Sequence, residues 1–286
     1  MKKATFQFLF KNLNLIGYFS PSIAGYMVFY LFCRPSSPAA IGRSQIEMMT
    51  SAYRYHISIN GKQVAVYRWG DGTNPVLLVH GWGSRAASFT KLAKKLLDAE
   101  YSPIAFDAPA HGESDGKTTT ILEYEEICKQ LSQEYGRFSA VIGHSFGILG
   151  LFKALKSSVL VDKVVSISGV CDFSFLEQEF SRKLRLSHPV QENLKKRIEN
   201  LFAPIKDIWQ TFSVNYNAGK ISVPVLIVYD DDDDVVPQEQ TMKIFNAYNH
   251  HSEIYKTQNL GHQRILLSKD VIQKIVNFIM EEPIKV

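Results

Sequence analysis

From Tyr53 onward the chain alternates short apolar runs with longer amphipathic stretches, a pattern that predicts strands alternating with helices. "YRYHISI" (53–59) and "QVAVYRW" (63–69) read as two strands. The Asn60-Gly61 pair between them is a hairpin signal, because both residues tolerate positive φ. "PVLLVH" (75–80) has the unbroken apolar character of a buried strand. Further strands are expected at "SPIAF" (102–106), "FSAVIG" (138–143), "KVVSIS" (163–168), "VPVLIVY" (223–229) and "SEIYKT" (252–257). Helices are expected near Ala86 to Leu97, at Ile121 to Tyr135, after Ser145, around Gln238 to Ala247 and from Asp270 to Met280. Such alternation implies an α/β fold, a mostly parallel sheet with helices on both faces whose ligands sit beyond the carboxyl ends of the strands.

Two segments depart from this rhythm. Between Cys171 and Lys220 no strand is evident, and "FSFLEQEF" and "VQENLKKRIENLF" space their apolar residues as helices do. An inserted helical cap is the expected reading, with long surface helices as its alternative. The other segment is the N-terminus, where residues 12–33 carry no formal charge and follow Lys2, Lys3 and Lys11. Ser20-Pro21 looks like an N-cap and first-turn proline opening a helix that runs to Cys33. Thirteen residues at 1.5 Å each reach about 20 Å, short of the roughly 30 Å of a bilayer's hydrocarbon. That length favours a helix packed on the body or lying on a membrane surface over a spanning anchor, and no clean cleavage site marks a signal peptide. Contact with a membrane surface through residues 5–33 is therefore one expectation. "RPSSPA" (34–39) reads as a linker. The expected division is an apolar helical extension over 1–50, an α/β core over 51–170 and 221–286, and the cap over 171–220.

Composition narrows the function classes. At 286 residues and 45% hydrophobic, the chain can bury one large core. A net charge of +4 with interspersed signs offers no stripe to follow a phosphate backbone, so no nucleic-acid partner is expected. The three cysteines, Cys33, Cys128 and Cys171, are odd in number and widely spaced, which suggests neither a disulfide framework nor a zinc site but a reducing, cytoplasmic compartment. "GESDGKT" (112–118) is one residue short of a phosphate-binding loop, and its arc would not place the same amides around a phosphate.

The chemistry concentrates at "AVIGHSFGIL" (140–149), where a strand turns abruptly into a helix. The flanking glycines of Gly143-His144-Ser145-Phe146-Gly147 give room for a strained apex that lifts a serine hydroxyl above the sheet, a nucleophile elbow. A serine needs a base, and that base needs an orienting acid. His262 in "NLGHQRIL" follows the last strand and can reach back over the sheet. His80 and His144 beside glycines read as backbone supports, and His56, His111, His188, His250 and His251 have no comparable placement. The acid should follow a strand between serine and histidine, where Asp230 to Asp234 offer five candidates among which local spacing does not choose. A calcium loop fails there, because its sixth position is Val235 and its twelfth Thr241.

Over roughly residues 60–282 the chain resembles the α/β-hydrolases, through "VHGWGSR" (79–85), "FDAPAHGES" (106–114), "GHSFG" (143–147) and "YDDDDDVVP" (229–237) with "NLGHQRIL" (259–266). The resemblance implies that the acid stands four residues before Pro237, at Asp233, in the chain order Ser145, Asp233, His262. The mechanics of the elbow make the Phe146 amide one oxyanion donor, and the resemblance supplies Trp82 as the other. His80, Gly81, Trp82, His144 and Trp209 are the expected pocket residues. A serine at the elbow disfavours the chemistries that use a carboxylate nucleophile. The expectation is a cofactor-free and metal-free serine hydrolase acting on a small-molecule ester or thioester. The alternatives are a serine-triad acyltransferase, perhydrolase or C–C bond hydrolase, or a binding protein without turnover.

Overall fold

The computed structural model describes residues 13–35 and 41–281. The greater part of the expected linker, and residues 5–12 of the expected membrane-contacting segment, lie outside the described residues. Eight strands form one sheet in the order β1-β2-β4-β3-β5-β6-β7-β8. They are β1 (Tyr53–Ile59), β2 (Lys62–Arg68), β3 (Pro75–Val79), β4 (Ser102–Phe106), β5 (Ala140–His144), β6 (Val164–Ile167), β7 (Val225–Asp230) and β8 (Ser252–Thr257). β2 pairs antiparallel with both neighbours and every other pairing is parallel. The β1–β2 turn uses Asn60 at φ +50° and Gly61 at φ +77°, as the dipeptide predicts.

Side chains alternate across this sheet and sort into two cores. Val76, Leu78, Ile142, Val165 and Leu226 face α3 (Thr90–Asp98) and α11 (Lys269–Met280). Leu77, Val79, Val141, Val164 and Ile227 face α4 (Ile121–Tyr135) and α5 (Gly147–Leu155). With both faces covered, no polar alternation survives in the central strands, which is why they read as continuous apolar runs. β5 starts at Ala140, two residues later than its pattern suggests, since Phe138 makes only an isolated bridge to Val161. The helix expected from Ala86 opens with a 3₁₀ turn, Ala86–Phe89, before α3 begins.

Between β6 and β7 the chain leaves the sheet for α6 (Phe173–Leu184), α7 (His188–Leu201) and the short α8 (Ile208–Thr211). α1 (Pro21–Phe32) packs on α7. Its inward face is small: a Cβ on Gly25 would lie 2.5 Å from Asn193 Cβ, so only glycine permits this approach. Ala24 and Val28 are buried in the same contact, and the Phe32 ring meets Phe180 of α6 edge-on at 5.3 Å. Ser20 caps α1 by accepting from the Ile23 amide, and Pro21 opens its first turn. No described helix is long and apolar enough to cross a membrane. After the cap come α9 (Gln238–Ala247) and α10 (Gly261–Arg264), while α2 (Arg43–Thr50) leads into β1.

Candidate active site

The loops at the carboxyl ends of β3, β5, β7 and β8 meet at one point. Ser145 forms the turn between β5 and α5 with φ +54°, a left-handed conformation costing a non-glycine residue about 1–3 kcal/mol. Its amide donates to Ile167 O at 3.0 Å, which ties the strained turn to β6. A Cβ on Gly147 would lie 2.4 Å from the backbone oxygen of His80, so the elbow closes against β3 only with glycine there.

His262 lies in α10, just after β8. Its Nε2 is 2.9 Å from Ser145 Oγ and its Nδ1 is 2.8 Å from Asp233 Oδ2. The side chains of His262 and Asp233 are only 9% and 3% exposed. The other oxygen of Asp233 accepts from the amides of Val235 and Val236, each at 2.9 Å. Burial alone would raise the Asp233 carboxyl. The hydrogen bond and charge of His262, with those two amides, outweigh it and hold the group below the ordinary carboxylate range.

The geometry separates the five aspartates that spacing left equivalent. Asp230 fastens the histidine loop instead of orienting the ring: it accepts from the amides of Asp232, Leu260 and Gly261 and from the Thr257 hydroxyl. Its burial, too, is outweighed by those donors, and the carboxyl stays below its usual range. Asp231 pairs with Lys256 at 2.8 Å, and Asp232 accepts from the Asn259 amide at 2.7 Å.

Three buried histidines support this framework. The Ala108 amide donates to His80 Nε2 at 2.9 Å, which leaves Nδ1 to donate to Gly81 O at 2.8 Å. The Gly83 amide donates to His111 Nε2 at 3.0 Å, and His111 Nδ1 faces Pro109 O. Together they clamp the loop carrying Trp82. Burial keeps both rings neutral by pushing their pKa below the ordinary histidine value. His144 Nε2 donates to the backbone oxygen of His262 at 2.9 Å; burial, then the neighbouring His262 ring, lowers its pKa to about 3. His111 and Asp230 are supports that the sequence did not single out. The only signal for His111 is its place in "FDAPAHGES", where it stands two residues after Pro109.

Two cavities meet at Ser145, Trp82 and His262. The first, about 310 Å³, runs under the cap and is walled mainly by apolar side chains, among them Phe173, Phe175, Phe180 and Phe202. Phe32 and Cys33, at the end of α1, complete its wall. The second, about 210 Å³, lies on the other side of Ser145 and is lined by Gly81, Ser84, Arg85, Ser88 and His144 among others. Among the described residues neither the Trp82 nor the Phe146 amide donates to a protein acceptor. Trp82 stacks edge-on against Phe146 at 5.1 Å and lines both cavities.

Two expected pocket residues are corrected. His80 is 1% exposed and sits beneath the loop, lining neither cavity, because the Ala108 amide draws its ring inward. Trp209 backs Phe173 at 5.5 Å and donates its Nε1 to Glu199, so Phe173 stands between it and the cavity. Phe32 and Cys33 were not anticipated, since only the non-local docking of α1 brings them here.

A model of the alpha/beta hydrolase family matches residues 76–268. The uncharacterized protein YqkD of Bacillus subtilis is 24% identical over 227 residues, 75% of this chain and 72% of that protein. A serine hydrolase-like protein of Danio rerio is 30% identical over 129 residues, and the chain spans only 39% of its length. The esterase Pf2001 of Pyrococcus furiosus superposes with a TM-score of 0.63 at 20% identity, over 86% of this chain and 96% of that one.

Proposed function

The chain belongs to the alpha/beta hydrolase family, and we propose that it is a serine hydrolase cleaving a carboxylic ester or thioester through an acyl-enzyme on Ser145. The observation that carries this reading is the unbroken relay from Asp233 through His262 to Ser145, at 2.8 and 2.9 Å, opening on an apolar cavity. With Nδ1–H held by Asp233, the lone pair of His262 Nε2 faces the hydroxyl and takes its proton as Oγ attacks the carbonyl carbon. The oxyanion that develops is met by the free amides of Trp82 and Phe146. Collapse of the tetrahedral species breaks the bond to the alkoxide or thiolate, which leaves with the proton from His262. Water, deprotonated by the same ring, then adds to the acyl-enzyme, and the acyl C–Oγ bond breaks as His262 returns the proton to Ser145 and the acid is released. Asp233 stays ionised throughout and stabilises the imidazolium.

In this reading the acyl chain occupies the 310 Å³ cavity and the leaving group the second one, whose Arg85, Ser84 and Ser88 suit a polar alcohol or thiol. That second cavity also favours an alternative, acyl transfer to an alcohol bound there in place of water. The test is hydrolysis of p-nitrophenyl esters from acetate to laurate by the wild type and by Ser145→Ala. The proposal expects an initial burst of nitrophenol, turnover peaking at one chain length, and its loss in Ser145→Ala. Added glycerol that diverts the acyl group into glyceride would favour the transferase, and turnover surviving in Ser145→Ala would remove both readings.

A further inference from the structure

A helix that is apolar all round ordinarily lies inside a protein, because either face left to water exposes hydrocarbon. α1 buries only its small side. Ala24, Gly25 and Val28 pack on the cap, while Ile23, Tyr26, Met27 and Tyr30 point to solvent. Before Ser20, the helical residues 13–19 add exposed Leu15, Tyr18 and Phe19, the last two 83% and 78% exposed. Seven of the fourteen exposed large hydrophobic residues among those described thus fall within residues 15–30. This concentration is a patch and not the scatter normal for a surface.

The N-terminal sequence is predominantly basic. Residues 1–50 hold five lysines and arginines against one acid, Glu47, so this segment alone carries +4, the net charge of the whole chain. Arg34 lies over the Tyr30 ring at 5.8 Å and Arg197 over the Tyr26 ring at 5.4 Å, cations at the border of the aromatic face. Tyrosine rings bordered by cations suit the headgroup layer of a bilayer, where the ring is half apolar and the cation meets phosphate. A protein partner of equal size would need acidic groups facing a tyrosine and phenylalanine surface, and α1 offers that surface no hydrogen-bonding side chain beyond its phenols and Ser22.

We propose that the outward face of residues 15–30 docks on an anionic lipid bilayer, and that the enzyme draws its acyl substrates from that surface. α1 joins the two functions physically, since Ile23 and Tyr26 face outward while Phe32 and Cys33, at its far end, wall the acyl cavity beside Phe180. The substrate half of this inference rests on the hydrolase reading, whereas the docking half does not.

The test is co-sedimentation of the full chain with vesicles of phosphatidylcholine containing phosphatidylglycerol, and with phosphatidylcholine alone. The wild type and Ser145→Ala should bind the anionic vesicles equally, and binding should weaken in high salt and on neutral vesicles. The combined variant Tyr18→Ser, Phe19→Ser, Ile23→Ser should bind about tenfold or more weakly, while hydrolysing soluble p-nitrophenyl butyrate as the wild type does. Wild type remaining in the supernatant, or a serine variant that sediments equally, overturns the docking. A stable dimer that the three substitutions split, with no vesicle binding, assigns the face to a second copy and likewise overturns it. Vesicle binding by a protein inert toward every ester would leave the docking standing and end the hydrolase reading with its substrate half.

Discussion

Replacing Asp233 by asparagine tests how the relay works, because the two sides of this carboxylate have opposite requirements. Oδ1 accepts from the amides of Val235 and Val236 and Oδ2 accepts from His262 Nδ1. An asparagine that keeps its oxygen on the amides turns its NH₂ toward the ring. Nδ1 must then accept, and the ring proton moves to Nε2, where no lone pair faces Ser145. An asparagine that flips to keep the ring in its working tautomer sets NH₂ against the amides of Val235 and Val236. Two lost hydrogen bonds at about 1–3 kcal/mol each make that state about 2–6 kcal/mol less favourable, a factor of about 30 to 10⁴ in rate. Losing the carboxylate charge beside the imidazolium adds to this, so kcat for p-nitrophenyl butyrate should fall by about 10³ to 10⁴. The thermal midpoint should move little, because the first arrangement keeps the amides satisfied. Asp230→Ala should show the opposite balance, losing about 2–4 kcal/mol of stability in urea titration as the amides of Asp232, Leu260 and Gly261 lose their acceptor. A kcat for Asp233→Asn within tenfold of wild type, at unchanged stability, would refute the assignment of roles within the run.

Three further outcomes follow from the geometry. Gly147→Ala should cost about 1–3 kcal/mol and lie at the upper end, because the obstructing atoms are backbone at His80 and Val79; urea denaturation reads it, and an unchanged midpoint would contradict the close approach. Phe32→Ala removes one wall of the acyl cavity, so the preferred p-nitrophenyl ester should lengthen by several carbons, and an unmoved optimum would place the acyl chain elsewhere. His144 is neutral when folded, with a pKa near 3 against 6.5 for a free histidine, so its stability is fully present above pH 6.5 and drains as pH falls toward 3. His144→Gln should therefore flatten the pH dependence of unfolding free energy between pH 6 and 4 by about 1 kcal/mol per pH unit, and an unchanged slope would mean that the ring protonates in the folded state.

The elements that create the elbow were legible because their causes are local. A buried strand, two glycines and a serine within five residues are enough to specify a turn, and the cost of any other residue at Gly147 is visible in one contact. The contact of His262 with Ser145 was also legible, since a histidine directly after the last strand has one direction in which to reach. Local spacing did not choose among Asp230 to Asp234, and only the resemblance pointed to Asp233; which of them the turn aims at His262 depends on amides at Val235 and Val236. The pocket was least legible. His80 carries the polar character of a site residue, yet the Ala108 amide draws it under the loop. Phe32 looked like part of a membrane-seeking helix, and only the packing of a glycine-bearing face on α7 brings it beside Phe180.

The proposed chemistry stands on Ser145 being a nucleophile activated by His262. Its most direct measurement is peptide mass spectrometry after treatment with a fluorophosphonate. One adduct is expected, on the peptide carrying Ser145, absent from heat-unfolded protein and strongly slowed in His262→Ala. An unlabelled Ser145 in the folded wild type, or labelling as fast in His262→Ala as in the wild type, would contradict it.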